Sequence, residues 1–170
     1  VAVLSPAAVE RARHIEDSAD GRWVPQFLSL SAAIDNSRKD QTLNTPALAT
    51  IVMAERQVRW LLERGGMEAV SAHCAQASSL VYDWAEANLA AHPFVENPTW
   101  RSPVTATIEI DEAVSASELA AHLRTRGIVD IGAYRGVGAN QLRIGTWPSM
   151  EMEDVEALLA CIDYCLERVL

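Results

Sequence analysis

From Val104 onward the sequence lays out a small architecture element by element, and that order constrains the fold more than any other feature of the chain. VTATIEI, residues 104–110, alternates apolar and polar positions in the manner of a half-buried strand. Ser115 and Glu118 then form a capping box ahead of ELAAHLRTRG, a short helix closed by Gly127. GIVDIG and QLRIGTW are two further strand candidates, separated by the glycine-containing turn region YRGVGAN. Ser149 is placed to cap a last helix. Its first turn holds Glu151, Glu153 and Asp154, where the helix dipole favours acidic groups, and its core face carries Val155, Leu158, Leu159, Ile162, Leu166 and Val169. The order strand, helix, strand, strand, helix predicts a small α/β sandwich with its helices over one sheet face.

Upstream of this unit the pattern is helical. SPAAVERARHIED supplies a Ser5 cap, Pro6 at the first helical position, and Val9 and Ile15 on one face; the VAVL before it is a short strand candidate. Residues 21–46 mix Gly, Pro, Asn, Asp and Ser around the short apolar FLSLSAAI, which predicts an irregular connection with NSRKDQ as a solvated loop. After Pro46, Leu48, Ile51, Val52, Val58, Leu61 and Leu62 recur at helical spacing until Gly65 and Gly66 stop the helix. A second helix follows, with Met67, Val70, Cys74, Leu80, Val81 and Trp84 as its buried stripe, and PFVENPTWRSP marks a connection. Residues 1–45 are therefore assigned to a larger body, 46–65 to a connecting helix and 66–170 to the small α/β domain.

Composition excludes several classes of function. The formal net charge is −9, and the basic residues are scattered instead of lying in a stripe, which argues against nucleic acid. No apolar run approaches membrane-spanning length, and a soluble cytoplasmic protein is expected. Cys74, Cys161 and Cys165 form no CxxC pair; the last two share an apolar helical stripe with no histidine near in sequence, so packing is expected there and no metal site. His14, His73, His92 and His122 are far apart in sequence and read as surface or packing residues. Lys39 is the only lysine beside thirteen arginines, so any lysine chemistry in this chain has a single candidate. GVGAN lacks the third glycine and following helix of a dinucleotide fingerprint, and no GxSxG is present.

What remains is a set of anion binders. Asn44 and Thr45 precede Pro46 at a helix start, where Thr45 is a natural N-cap and the exposed N–H groups also suit a phosphate. Arg143 lies inside QLRIGTW and faces opposite to Leu142 and Ile144, so it needs either an ion pair within the chain or the carboxylate of a ligand. Arg135, in the glycine turn, is either a solvated residue or a phosphate contact.

The two runs WVPQFLSLSAAIDNSRKDQTLNTPALAT and GIVDIGAYRGVGANQLRIGTWPSMEMEDVEAL closely resemble the second half of the phosphoserine aminotransferases of actinobacterial type, pyridoxal-phosphate enzymes of the class V aminotransferase group. The resemblance covers essentially the whole chain. It implies the C-terminal part of a fold-type I transferase: the end of the large cofactor-binding domain followed by the small α/β sandwich. It further implies that Asn44 and Thr45 reach across a homodimer to the cofactor phosphate of the neighbouring subunit, and that Arg143 clamps the α-carboxylate of the amino-acid substrate. Tyr134 and Arg135 stand where the family has a His-Arg pair for the substrate phosphate, with tyrosine replacing the histidine. Phosphoserine, glutamate and their 2-oxo acids are the implied partners, and serine and pyridoxine biosynthesis the implied setting.

The family's lysine that anchors the cofactor lies a few residues before the strand matched by VAVL, so this chain is expected to begin just after it and to be inactive alone. Lys39 matches a loop position. Two other readings stand beside this one: a non-catalytic α/β module that binds or senses a small phosphorylated acid, and a class V aminotransferase with another substrate, such as alanine and glyoxylate.

Overall fold

The computed structural model describes residues 1–18, 23–135 and 140–168. Gly21 of the connection, residues 136–139 of the glycine turn and Val169 of the last apolar stripe lie outside the described residues. The chain divides into two compact units, Val1–Arg56 and Gln57–Leu170.

The first unit holds α1 (Pro6–Asp17), α2 (Leu30–Ser37) and the start of α3 (Leu48–Glu63). Ser5 caps α1 by accepting from the Ala8 N–H at 3.2 Å, with Pro6 in the first turn, as the SP pair predicts. Arg13 of α1 donates to Asp35 of α2 at 2.5 Å, and this hydrogen bond holds the Asp35 carboxyl below its ordinary value. Ser31 is the one buried residue among those described in this unit.

Three expectations fail here. VAVL is no strand: Val1 and Val3 stand exposed and their backbone has no ladder partner among the described residues. The predicted irregular connection contains a helix, α2, because Ser29 caps it by accepting from the Ala32 N–H at 3.1 Å and the apolar run continues from there. Thr45 is not the N-cap of the next helix. Pro46 biases the preceding residue toward extended backbone, its carbonyl is taken by the Leu48 N–H at 2.9 Å, and the helical bonds begin with the Ile51 N–H on the Ala47 carbonyl.

The second unit contains the remainder of α3, then α4 (Gly66–Ala87), β1 (Ala91–Pro93), β2 (Thr105–Ile110), α5 (Ala116–Arg124), β3 (Gln141–Gly145) and α6 (Met152–Arg168). Gly65 ends α3 at φ 97°, and a Cβ there would stand 2.7 Å from the Cβ of Ala69, so both backbone and space demand glycine. The three strands form one antiparallel sheet in the order β1-β2-β3. Its inner face carries Ala106, Ile108 and Ile110 from β2 and Leu142 and Ile144 from β3. These pack with Ala77, Val81 and Ala85 of α4, Leu119 and Leu123 of α5, and Val155, Leu159 and Ile162 of α6. The period-two burial of β2 and the helical stripes therefore meet in one core, which is the predicted sandwich.

β1 falls in what the sequence marked as a connection; its three residues, ending in Pro93, are too few to show alternation. GIVDIG forms no strand and contributes a single bridge, Gly132 to Leu142. Ser149 does not cap α6. A turn from the Met150 N–H to the Trp147 carbonyl intervenes, and the first helical bonds go to the Glu151 carbonyl.

The connection between β2 and β3 is fastened by Asn140. Its amide nitrogen donates to the carbonyls of Ile110, Asp111 and Val114 at 2.9, 3.1 and 2.7 Å, and its amide oxygen accepts from the Ala116 N–H at 2.7 Å. Ser115 completes the start of α5 by accepting from the Glu118 N–H at 3.3 Å, as the capping box predicts.

Candidate functional site

The outer face of the sheet is polar, because the strand period that sends Leu142 and Ile144 inward sends Arg143 outward. In the ladder Arg143 is paired with Thr107, Gly145 with Thr105, and Glu109 with both Gln141 and His92. His92 Nε2 stands 3.4 Å from Glu109, so the one carboxylate of β2 on this face is directed away from Arg143.

Arg143 makes no ion pair among the described residues. Its guanidinium lies instead over the ring of Tyr134, 5.0 Å from the centroid. Of the two roles left open for this arginine, an internal salt bridge is thus not the one adopted. A half-buried guanidinium stacked on an aromatic face keeps its in-plane donors free for a planar anion. Tyr134 and Arg135 are both exposed, so the structure brings Tyr134 to Arg143 and leaves Arg135 in the turn beside them in sequence.

Asn44 and Thr45 belong to the first unit and are both exposed. The Thr42 hydroxyl donates to the Asn44 carbonyl at 2.7 Å and fixes the backbone there, while among the described residues no hydrogen bond engages the Asn44 carboxamide or the Thr45 hydroxyl. With Thr45 released from capping, both side chains offer donors to an anion. That donor set fits a phosphate group.

Three residues near Arg143 carried no signal in the sequence reading. Gln141 is 2% exposed and its amide nitrogen has no partner. Gly145 and Trp147 were read only as parts of a strand, although a glycine two positions before a tryptophan is the local hint that the ring folds back over the strand. Among the other candidates, His73 Nε2 meets the Met150 carbonyl at 2.7 Å, a packing role. Cys74 and Cys165 are buried and burial pushes both thiols up, whereas Cys161 is exposed, a correction to the shared core stripe. Among the described residues no cluster of His, Cys, Asp or Glu is placed to hold a metal, and no helix is long and apolar enough to cross a membrane.

No family model matches the chain. Its fold superposes on that of a phosphoserine aminotransferase from Cytophaga hutchinsonii with a TM-score of 0.83, over 98% of this chain and 44% of that one, at 17% identity. The likeness is one of fold. Sequence narrows the class: the chain is 46% identical over 169 residues to the phosphoserine aminotransferase of Rhodococcus jostii (99% of this chain, 45% of the relative). It is 44% identical over 167 residues to that of Corynebacterium glutamicum (98% and 44%). The chain is similar along nearly its whole length to phosphoserine aminotransferases and spans a little under half the length of the relatives it matches.

Proposed function

We propose that the chain is the C-terminal portion of a phosphoserine:2-oxoglutarate aminotransferase of serine biosynthesis, a cytoplasmic homodimer with shared active sites that also serves pyridoxine biosynthesis. The observation that carries this reading is Arg143: an arginine on the open face of the sheet, stacked on Tyr134 and without a carboxylate partner among the described residues, in a chain 46% identical to a protein of that name. Pyridoxal phosphate, when bound, supplies the electron sink that lets an amino group pass between an amino acid and a 2-oxo acid. Asn44 and Thr45 hold its phosphate, from the neighbouring subunit, by hydrogen bonds from the carboxamide and the hydroxyl. Arg143 binds the α-carboxylate of either amino acid through two parallel N–H bonds and so orients the amino group. Arg135, with Tyr134 beside it, receives the phosphate of phosphoserine.

In this reading residues 1–45 are the end of the large cofactor-binding domain, 46–65 the connecting helix and 66–170 the small domain. The anchoring lysine lies in the part of the relatives' length that this chain does not span, since Lys39 sits in the turn after α2. Identity along nearly the whole chain favours the enzyme over a non-catalytic binding module.

Substrate discrimination tests the proposal. The full-length protein should transaminate phosphoserine with 2-oxoglutarate at a kcat/KM at least about a hundredfold above that for serine, because an unfilled phosphate site leaves buried or oriented donors unpaired. Equal use of serine, or preferred transfer from alanine to glyoxylate, would assign the fold to another substrate.

A further inference from the structure

Positions 143 and 145 are neighbours on the outer face of β3, about 7 Å apart along the strand. Gly145 has no side chain, and the space beside it is filled by the indole of Trp147. A Cβ added at Gly145 would overlap the indole Nε1 and stand 2.9 Å from Cδ1 and 3.0 Å from Cε2, closer than side-chain atoms pack. The five-membered part of the indole, which bears the N–H, therefore lies over Gly145 on the face of the sheet that also carries Arg143. Trp147 is 50% exposed, and its N–H meets no acceptor among the described residues. Tyr134, stacked on the guanidinium, completes a second aromatic contact to the same short stretch of sheet.

A tryptophan needs neither exposure nor a bare glycine beneath it to pack, and an indole nitrogen can only donate. Here the donor lies over the strand position two residues beyond Arg143, whose guanidinium has no ion-pair partner among the described residues. Arg143 lies in β3 and Trp147 two residues beyond the strand's end, so the two donors are four residues apart along the chain. A carboxylate has room for both, since each oxygen accepts twice: a bidentate pair from arginine leaves lone pairs over for a third N–H.

We propose that Trp147 is a further substrate-binding residue, donating its indole N–H to the carboxylate that Arg143 clamps, and that Gly145 is the positioning residue that lets the ring lie there. The inference rests on the reading of Arg143 as the carboxylate clamp. Trp147→Phe in the full-length enzyme keeps an aromatic ring and removes the donor. Glutarate, a dicarboxylate with nothing to react, reports binding alone by calorimetry. Loss of a hydrogen bond to a charged group should weaken its Kd about tenfold, and should raise KM for glutamate by more than it lowers kcat. Gly145→Ala, which displaces the ring, should weaken glutarate in the same direction, and the double variant should be no weaker than the poorer single one. Glutarate affinity in Trp147→Phe within about twofold of the unsubstituted enzyme overturns the assignment. Arg143→Ala measured alongside separates the two readings: lost binding there with retained binding in Trp147→Phe sinks the tryptophan alone, and retained binding in both sinks the clamp with it.

Discussion

The guanidinium of Arg143 rests on a tyrosine ring and pairs with no carboxylate among the described residues, so its removal should hardly touch the fold. In the full-length enzyme, Arg143→Ala is expected to raise KM for glutamate and phosphoserine roughly 10- to 100-fold, the equivalent of a charged hydrogen-bond pair worth about 1.5–3 kcal/mol. Steady-state kinetics and a thermal melt on the same sample check both halves. Arg143→Lys should be nearly as poor, because a point charge cannot present the planar fork. Unchanged kinetics with a large fall in Tm would make the residue a structural one. The position was legible in the sequence because an arginine breaks an otherwise apolar strand, but its partner was not. Tyr134 is nine residues away across the glycine turn, and no periodicity links the two. Thr45 was misread for a related reason: a hydroxyl before a proline has the composition of a cap, whereas capping is decided by where the first helical N–H groups point, and these begin beyond it.

At the scale of elements, what could be read depended on length. β2 and α6 run for 6 and 17 residues, long enough for alternation and for a helical stripe to declare themselves. β1 has three residues and exists because β2 offers it a ladder, a tertiary cause that leaves no local mark. VAVL shows the converse: residues of high strand propensity stay unpaired where no strand among the described residues lies alongside them. Asn140 is the element-scale counterpart, since its four hydrogen bonds tie the end of β2, the following loop and the start of α5 to β3. Asn140→Ala removes them all and strands several part-buried backbone groups, so a loss of about 2–4 kcal/mol is expected in urea unfolding of the full-length protein. A change under about 0.5 kcal/mol would show that solvent replaces the side chain freely.

For the whole molecule, the decisive feature is how little the first unit and α3 bury. Leu48, Ile51, Val52, Val58 and Leu62 are all exposed, and α3 has no buried residue in its sixteen. Such a stripe on an isolated chain is an association surface. The 170-residue chain alone is expected to sediment with concentration-dependent mass and to bind a hydrophobic dye, and to catalyse no transamination with or without Lys39→Ala. A dye-silent monomer, or phosphoserine turnover by the chain alone, would contradict the reading of the chain as one portion of the enzyme. The proposed dimer can be interrogated by mixing full-length subunits, one lacking the proposed anchoring lysine and one carrying Asn44→Ala with Thr45→Ala. If the pair serves the neighbouring subunit, one competent site is restored in the mixed dimer. Activity that never exceeds that of either parent would place the pair in its own subunit's site.

The Asn140 clip also sets an order of events in time. Its acceptors and its donor lie 24 to 30 residues away along the chain, so its bonds form only after β2 and β3 have found each other and the intervening loop has closed. Contacts made that late are absent from the barrier to folding but present in the barrier to unfolding. The clip is therefore a latch: in a chevron series its loss should steepen the rate at which the small domain opens while leaving the rate at which it closes nearly as it was.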